Sequence, residues 1–262
     1  FSVPPAYSYL GYLLVRLLIA GRQPPRPSRR RLMPRVPARW LAVALVLVCA
    51  FRVGMNVADS GVIDVGYAGV LGADRITHHQ PLYVDNAAHG DTYGPVNYLA
   101  YVPFELALPW QGEWDGLPAA HAASIAFDLL TILGLFLLGM RLRPGLGGRR
   151  LGLALAWAWA TYPFTFMVLM SNSNDSLVAA LLVFVLLGLT SPAARGGMLA
   201  LGTAAKFVPG VLAPLFAAGV GRREARSLLA FAAAFVAVCA AAVVLYLPPG
   251  GLREFWDTTL GF

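Results

Sequence analysis

WLAVALVLVCAFRVGMNVADSGVIDVGYAGVLGADRITHHQPLYVDNAAHGDT (residues 40–92) decides the fold. Its first part, Trp40–Ala58, is a nearly unbroken apolar run. It approaches the roughly 20 residues a helix needs to cross a hydrocarbon core about 30 Å thick. Its second part is a long polar stretch holding Asp59, Asp64, Asp74, Asp85 and Asp91, with His78, His79, His89 and one arginine, Arg75. A carboxylate-rich loop held at a membrane surface is where chemistry on a polar substrate is expected.

The rest of the chain repeats the apolar half of that pattern. Runs of similar character span His121–Met140, Leu151–Met170, Leu177–Thr190 and Ser227–Leu247. Hydrophobic residues make up 58% of the chain and charged residues 13%, about half the charged share of a soluble domain. Helices are expected throughout, because only they close their own backbone hydrogen bonds in lipid at this spacing. The fold class is therefore an all-α polytopic membrane protein, with residues 1–262 as a single transmembrane domain.

The net charge of +7 would suggest a nucleic-acid partner in a soluble protein. Here the arginines cluster instead, at Arg22–Arg39, Arg141–Arg150, Arg195 and Arg222–Arg226. That spacing marks the cytoplasmic ends of spans. Residues 21–39, rich in proline and arginine, read as a cytoplasmic basic linker, and residues 59–92 as an outer acidic loop. Cys49 and Cys239 each sit within a span, so no disulfide framework is expected. Phe1 is not an initiator methionine, and an internal part of a longer protein is expected.

Three segments break the simple pattern. Val62, Val65, Val70, Leu71 and Ile76 recur at helical spacing, which predicts an amphipathic helix over about Ile63–His78 lying on the membrane surface. Asp64 opens it, where the helix dipole favours an acid. Thr92–Trp110 is apolar but interrupted by Pro95, Pro103 and Pro109, which predicts a short or re-entrant segment. Gly197–Val220 is flanked by arginine on both sides and broken at Phe207-Val208-Pro209-Gly210, which predicts a hairpin. Lys206, the one lysine of the chain, sits at its tip. An ammonium inside an apolar stretch costs about 2.5–3.5 kcal/mol on insertion scales and marks function.

Four segments in this order resemble a known family. IDVGYAGVLGADRITHHQPLY (residues 63–83) resembles the first outer-loop segment of polyprenol-phosphate-sugar-dependent glycosyltransferases of the GT-C fold, in particular family 87, the bacterial mannosyltransferases. DTYGPVNYLAYVPFELALP (residues 91–109) is similar to its Y-P-P … L-P segment, with Gly94 in place of the first proline. SNSNDSLVAALLV (residues 171–183) stands where the family has G-Q-x-N, and the missing G-Q is a departure that bears on substrate identity. LGTAAKFVPGVLAPLF (residues 201–216) is similar to its A-x-K-x-x-P segment.

The resemblance implies a GT-C-like helical bundle in a bacterial plasma membrane, with its active site on the outer side. It implies a polyprenyl-phosphate sugar as donor, a glycan or glycolipid as acceptor, and the first loop acid, Asp64, as general base. Asp91 is the second candidate for that role. Lys206, Arg52 and Arg75 are the candidate donor phosphate ligands, although Arg52 could instead pair with Asp59 or Asp128. Tyr67, His89, Tyr93, Asn172, Asn174 and Asp175 are the candidate substrate contacts. Tyr83, Tyr93, Trp110, Trp114 and Trp256 read as interfacial aromatics. No cofactor is expected, because the donor carries its own activation, and the histidine spacing does not predict a metal. Two other classes share these features: a transporter or flippase of lipid-linked saccharides, whose intramembrane charges and broken helices would look alike, and a non-catalytic scaffold of the same fold.

Overall fold

The computed structural model describes residues 36–83, 92–113, 116–218 and 225–260. No strand occurs among the described residues. The helices are α1 (Ala38–Asp59), α2 (Asp64–Thr77), α3 (Pro95–Ala107), α4 (Pro118–Leu142), α5 (Gly145–Thr161), α6 (Pro163–Met170), α7 (Asp175–Leu187), α8 (Pro192–Lys206), α9 (Ala213–Ala218), α10 (Ala225–Leu245) and α11 (Gly251–Thr259), with a 3-10 turn over Val208–Leu212 between α8 and α9. The basic linker expected over 21–39 lies almost wholly outside these residues.

Proline writes many of the helix starts. Pro95, Pro118, Pro163 and Pro192 each occupy the first helical turn of α3, α4, α6 and α8, where the missing N–H costs nothing. Ser191 caps α8, accepting the Ala194 N–H at 3.3 Å. Among the described residues, α1, α4 and α10 are each long and apolar enough to cross a bilayer. The protein is an all-α polytopic membrane protein, as its composition predicts.

One expected span is not straight. Leu151–Met170 divides into α5 and α6, bent by 60°. Pro163 is the cause, since it cannot donate to the Trp159 carbonyl. The Thr165 hydroxyl donates there instead, at 2.6 Å. Arg52 of α1 then donates to the Ala160 and Thr165 carbonyls at 3.0 and 3.1 Å. The α7 helix is also shorter than its apolar run suggests, at 13 residues or about 20 Å.

A helix forms over the predicted stretch, as α2, and buries Tyr67, Val70 and Leu71 as expected, but it is not an amphipathic surface helix: residues 66–73 are buried all round it. Ile63 is exposed, while Gly66, Gly69 and Gly72 are buried. An added Cβ would lie 2.6 Å from the Tyr101 ring at Gly69 and 2.1 Å from the Tyr98 ring at Gly72. This glycine stripe lets two tyrosines of α3 lie directly on the α2 backbone. The broken hairpin also forms. α8 ends at Lys206, and the 3-10 turn and α9 fold back against it. The α8 and α10 helices then pack side by side.

The start of α1, the α4–α5 turn and the starts of α8 and α10 lie at one end of the bundle, so Arg39, Arg141, Arg143, Arg149, Arg150, Arg195 and Arg226 gather there. Arg141 donates to Thr190 Oγ1 at 2.6 Å there, and Arg195 to the Leu189 carbonyl. The opposite end carries Asp59, Asp64 and Asp175.

Candidate active site around the turn of residues 171–175

The chain reverses between α6 and α7 over Ser171–Asn174. Asn172 takes a left-handed conformation, φ 51°, which asparagine tolerates better than most residues. Its side chain is fully buried and ties three elements together. Its amide donates to Ser60 Oγ and the Gly61 carbonyl, both at 3.0 Å. Its oxygen accepts from Asn56 Nδ2 at 2.8 Å. His121 Nδ1 lies 3.0 Å from Ser60 Oγ and 3.2 Å from Asn56 Oδ1. Asn172 is thus a fastener rather than an open substrate contact.

The same turn carries Asp64 with it. Gly61 and Ile63 donate their N–H groups to the Met170 and Ser171 carbonyls, at 3.1 and 3.2 Å. A Cβ at Gly66 would meet the Asn172 carbonyl oxygen at 2.6 Å. The start of α2 is therefore laid directly on the turn. Asp64 is exposed, and its Oδ1 accepts the Val65 N–H at 2.9 Å. Ile63, which precedes the helix, supplies no side-chain cap, so the Val65 N–H that Asp64 accepts is a capping contact within the first turn of α2, made by an exposed carboxylate.

Two residues further along, the turn faces a second group. Asn174 Nδ2 donates to Asn97 Oδ1 of α3 at 2.7 Å, and its Oδ1 accepts from Lys206 Nζ at 3.3 Å. Lys206 also pairs with Asp175, whose other oxygen accepts the Ser173 hydroxyl at 3.0 Å. The Lys206 ammonium stands 5.9 Å from the centroid of the Tyr93 ring. The Lys206 and Asp175 side chains keep 32% and 50% of their surface open. Burial pushes the Tyr93 phenol up from its ordinary value, and the Asp64 and Asp175 carboxylates push it the same way. Tyr93 therefore stays neutral, a donor and a π-face at once.

Gly94 brings Tyr93 to this place. Its N–H donates to the Ala205 carbonyl at 3.2 Å. A Cβ there would come 2.0 Å from the Ala204 carbonyl oxygen. The backbone of the Tyr93–Pro95 segment lies flat on the last turn of α8, which gives a physical reason for glycine where the resembling segment has proline.

The expected residues therefore divide. Asp64, Tyr93, Asn174, Asp175 and Lys206 are brought together around the turn. Asp91 and His89 lie outside the described residues. Arg52 is a correction. It is 1% exposed and binds Asp128 in a fork, Nε–Oδ2 3.0 Å and Nη2–Oδ1 2.8 Å. Trp159 Nε1 donates to the same carboxylate at 2.8 Å. Four of its five N–H donors go to Asp128 and the α5–α6 carbonyls, and its burial keeps it from a phosphate arriving at the membrane surface. Replacing Asp128 by alanine should cost about 3–5 kcal/mol, the usual penalty for stranding a buried charge. Thermal unfolding in detergent checks this, and an unchanged Tm would mean the pair holds nothing.

Arg75 lies apart from Asp64. It is buried near the other end of α2 and donates Nη1 to the Leu82 carbonyl at 3.0 Å. Eleven residues of helix separate it from Asp64, about 16 Å. Tyr67 packs in the core with its ring edge to Trp110, centroids 6.2 Å apart. The sequence reading missed Asn97, Asn56 and His121. A polar residue in an apolar helix was the available signal, since buried polar groups are held by partners.

Residues 92–262 match the family model described as Glycosyltransferase family 87. The match takes in Tyr93, Asn97, the 171–175 turn and Lys206, and begins after Asp64 and the acidic loop. No curated protein matches the chain.

Proposed function

Since the chain belongs to glycosyltransferase family 87 and is a glycosyltransferase, we propose that it moves a sugar from a polyprenyl phosphate to an acceptor hydroxyl at the outer membrane surface. Asp64 is the base and Lys206 the phosphate partner. The observation that carries this reading is the 171–175 turn, which has an exposed carboxylate laid against one side and an accessible ammonium on the other. A lipid-linked donor enters from the bilayer, where such a turn at the end of the spans would meet it. The gathering of arginines at the opposite end supports placing the site outside.

The chemistry follows from these two charges. An Asp64 oxygen takes the acceptor hydroxyl proton as that oxygen bonds to the anomeric carbon. The bond from that carbon to the phosphate oxygen breaks, and the leaving phosphate keeps the electron pair. Lys206 stabilises that charge. Asp175 and Asn174 occupy two of the three ammonium donors and aim the third. Asn172, His121 and Asn56 hold the turn still. The transport reading loses a main support with Arg52, which is locked to Asp128 rather than lining a pathway.

The test is donor choice. Purified protein in liposomes should transfer sugar from a synthetic polyprenyl-phosphate sugar and not from a nucleotide sugar. Transfer from the nucleotide sugar alone would overturn the donor assignment.

A further inference from the structure

The helix α11 has no part in the chemistry above, yet it divides cleanly into two faces. Phe255 and Thr259 are buried. Leu252, Trp256 and Leu260, spaced four residues apart, are exposed at 67%, 58% and 44%. Spacing by four keeps them on one side of the helix. Arg253 is exposed as well and reaches toward Asp257, 3.8 Å away.

The exposed stripe continues another one. Val236, Val244 and Leu245 of α10 are large, apolar and uncovered, as lipid-facing residues of a span are. Only the short Tyr246–Gly250 link separates α10 from α11. It contains Leu247, exposed in turn, and Pro248 and Pro249, which stop the span. An apolar face that leaves a membrane span, turns, and carries a tryptophan with charged neighbours fits the lipid–water boundary.

The buried face of α11 leads inward to the site. The Phe255 ring meets the Tyr83 ring edge to face, centroids 5.0 Å apart and planes at 83°. The Tyr83 hydroxyl donates to the Tyr93 carbonyl at 2.8 Å. The Tyr93 N–H donates to the Tyr98 hydroxyl at 3.3 Å, and Tyr83 and Tyr98 themselves meet edge to face. Tyr93 is thus held at both its backbone groups by tyrosines that Phe255 wedges in place, and its ring faces Lys206.

We infer that α11 is a lipid-surface anchor, seated in the bilayer interface by Leu252, Trp256 and Leu260, which positions Tyr93 and Lys206 through Phe255 and Tyr83. The lipid seat stands independently of the donor; the positioning rests on the proposed function.

Two readouts separate these parts. In nanodiscs, the fluorescence difference between wild type and Trp256→Phe isolates the Trp256 signal. Lipids brominated near the headgroup should quench it, and lipids brominated at the chain end should do so far less. No quenching by either lipid would overturn the seat, even with transfer intact. Phe255→Ala should then lower kcat/KM for the lipid-linked donor roughly 10- to 100-fold, the order a misplacement of about 1 Å costs, mainly through donor KM. Phe255→Tyr, which keeps the ring, should restore most of it, and Arg253→Ser should change nothing. If Phe255→Ala leaves donor KM unchanged while the quenching persists, the positioning is overturned. If the wild type transfers from no lipid-linked donor, the donor reading fails and the quenching still decides the seat.

Discussion

Asp64→Asn should lower sugar transfer by about 10²–10⁴-fold, the usual worth of a general base. Asparagine keeps the size of the side chain and can still accept the Val65 N–H that Asp64 accepts now. It cannot take a proton. The substituted group is exposed and its contact with α2, the Val65 N–H, is one that asparagine keeps, so folding and donor binding should survive. The measurement is initial rate in membranes with saturating polyprenyl-phosphate sugar. Asp64→Glu should recover part of the rate, since it restores basicity with a displaced carboxylate. Near-wild-type turnover by the asparagine variant would remove Asp64 from the chemistry and bring Asp91 forward. This substitution also probes ground that the family match does not cover, because the match begins at Thr92.

Lys206→Ala should cost about 10²–10³-fold in turnover, the usual effect of deleting one group that stabilises developing negative charge. Donor KM should rise with it, because the ammonium meets the phosphate before and during transfer. Stability should hardly move. The Lys206–Asp175 pair is partly open to solvent, and such pairs contribute about 0–1 kcal/mol. Lys206→Met keeps the apolar stem, so it isolates the charge from the packing. If it transfers normally, the lysine serves only to join α7 to α8. Kinetics with a donor series of graded leaving-group acidity would sharpen the result, since the loss should shrink as the leaving group improves.

Much of this arrangement was legible in the sequence. Helical spacing over residues 63–78 gave α2 within a residue at each end, because its hydrophobic period is strong. The Phe207–Gly210 break gave the fold-back, because proline and glycine act locally and need no tertiary context. The lone lysine stood out by its cost in an apolar setting. What was not legible depends on partners far along the chain. Whether Arg52 would choose Asp59, Asp128 or a substrate is a question of distance in space, and Asp128 lies 76 residues away. The bend at Pro163 was written in the sequence, but the apolar run around it read as continuous. The Gly66, Gly69 and Gly72 stripe was visible at its spacing of three. Its meaning needed the two tyrosines of α3. Asn97 was visible as a lone amide in an apolar helix, but its partner, Asn174, lies 77 residues away.

The Arg52–Asp128 fork bears on how the chain enters the bilayer during synthesis. The α1 span emerges from the ribosome carrying a guanidinium, while the carboxylate that neutralises it and the carbonyls of α5 and α6 that complete its shell have yet to be made. Alone in lipid, that arginine would cost about 2.5–3.5 kcal/mol on insertion scales. The cheapest course is for α1 to wait beside the insertion machinery until α4 and the bent pair arrive, and for the group to move into lipid together. On that course the Arg52–Asp128 fork would act as an electrostatic checkpoint in biogenesis, closing only when the helices that support the site have met.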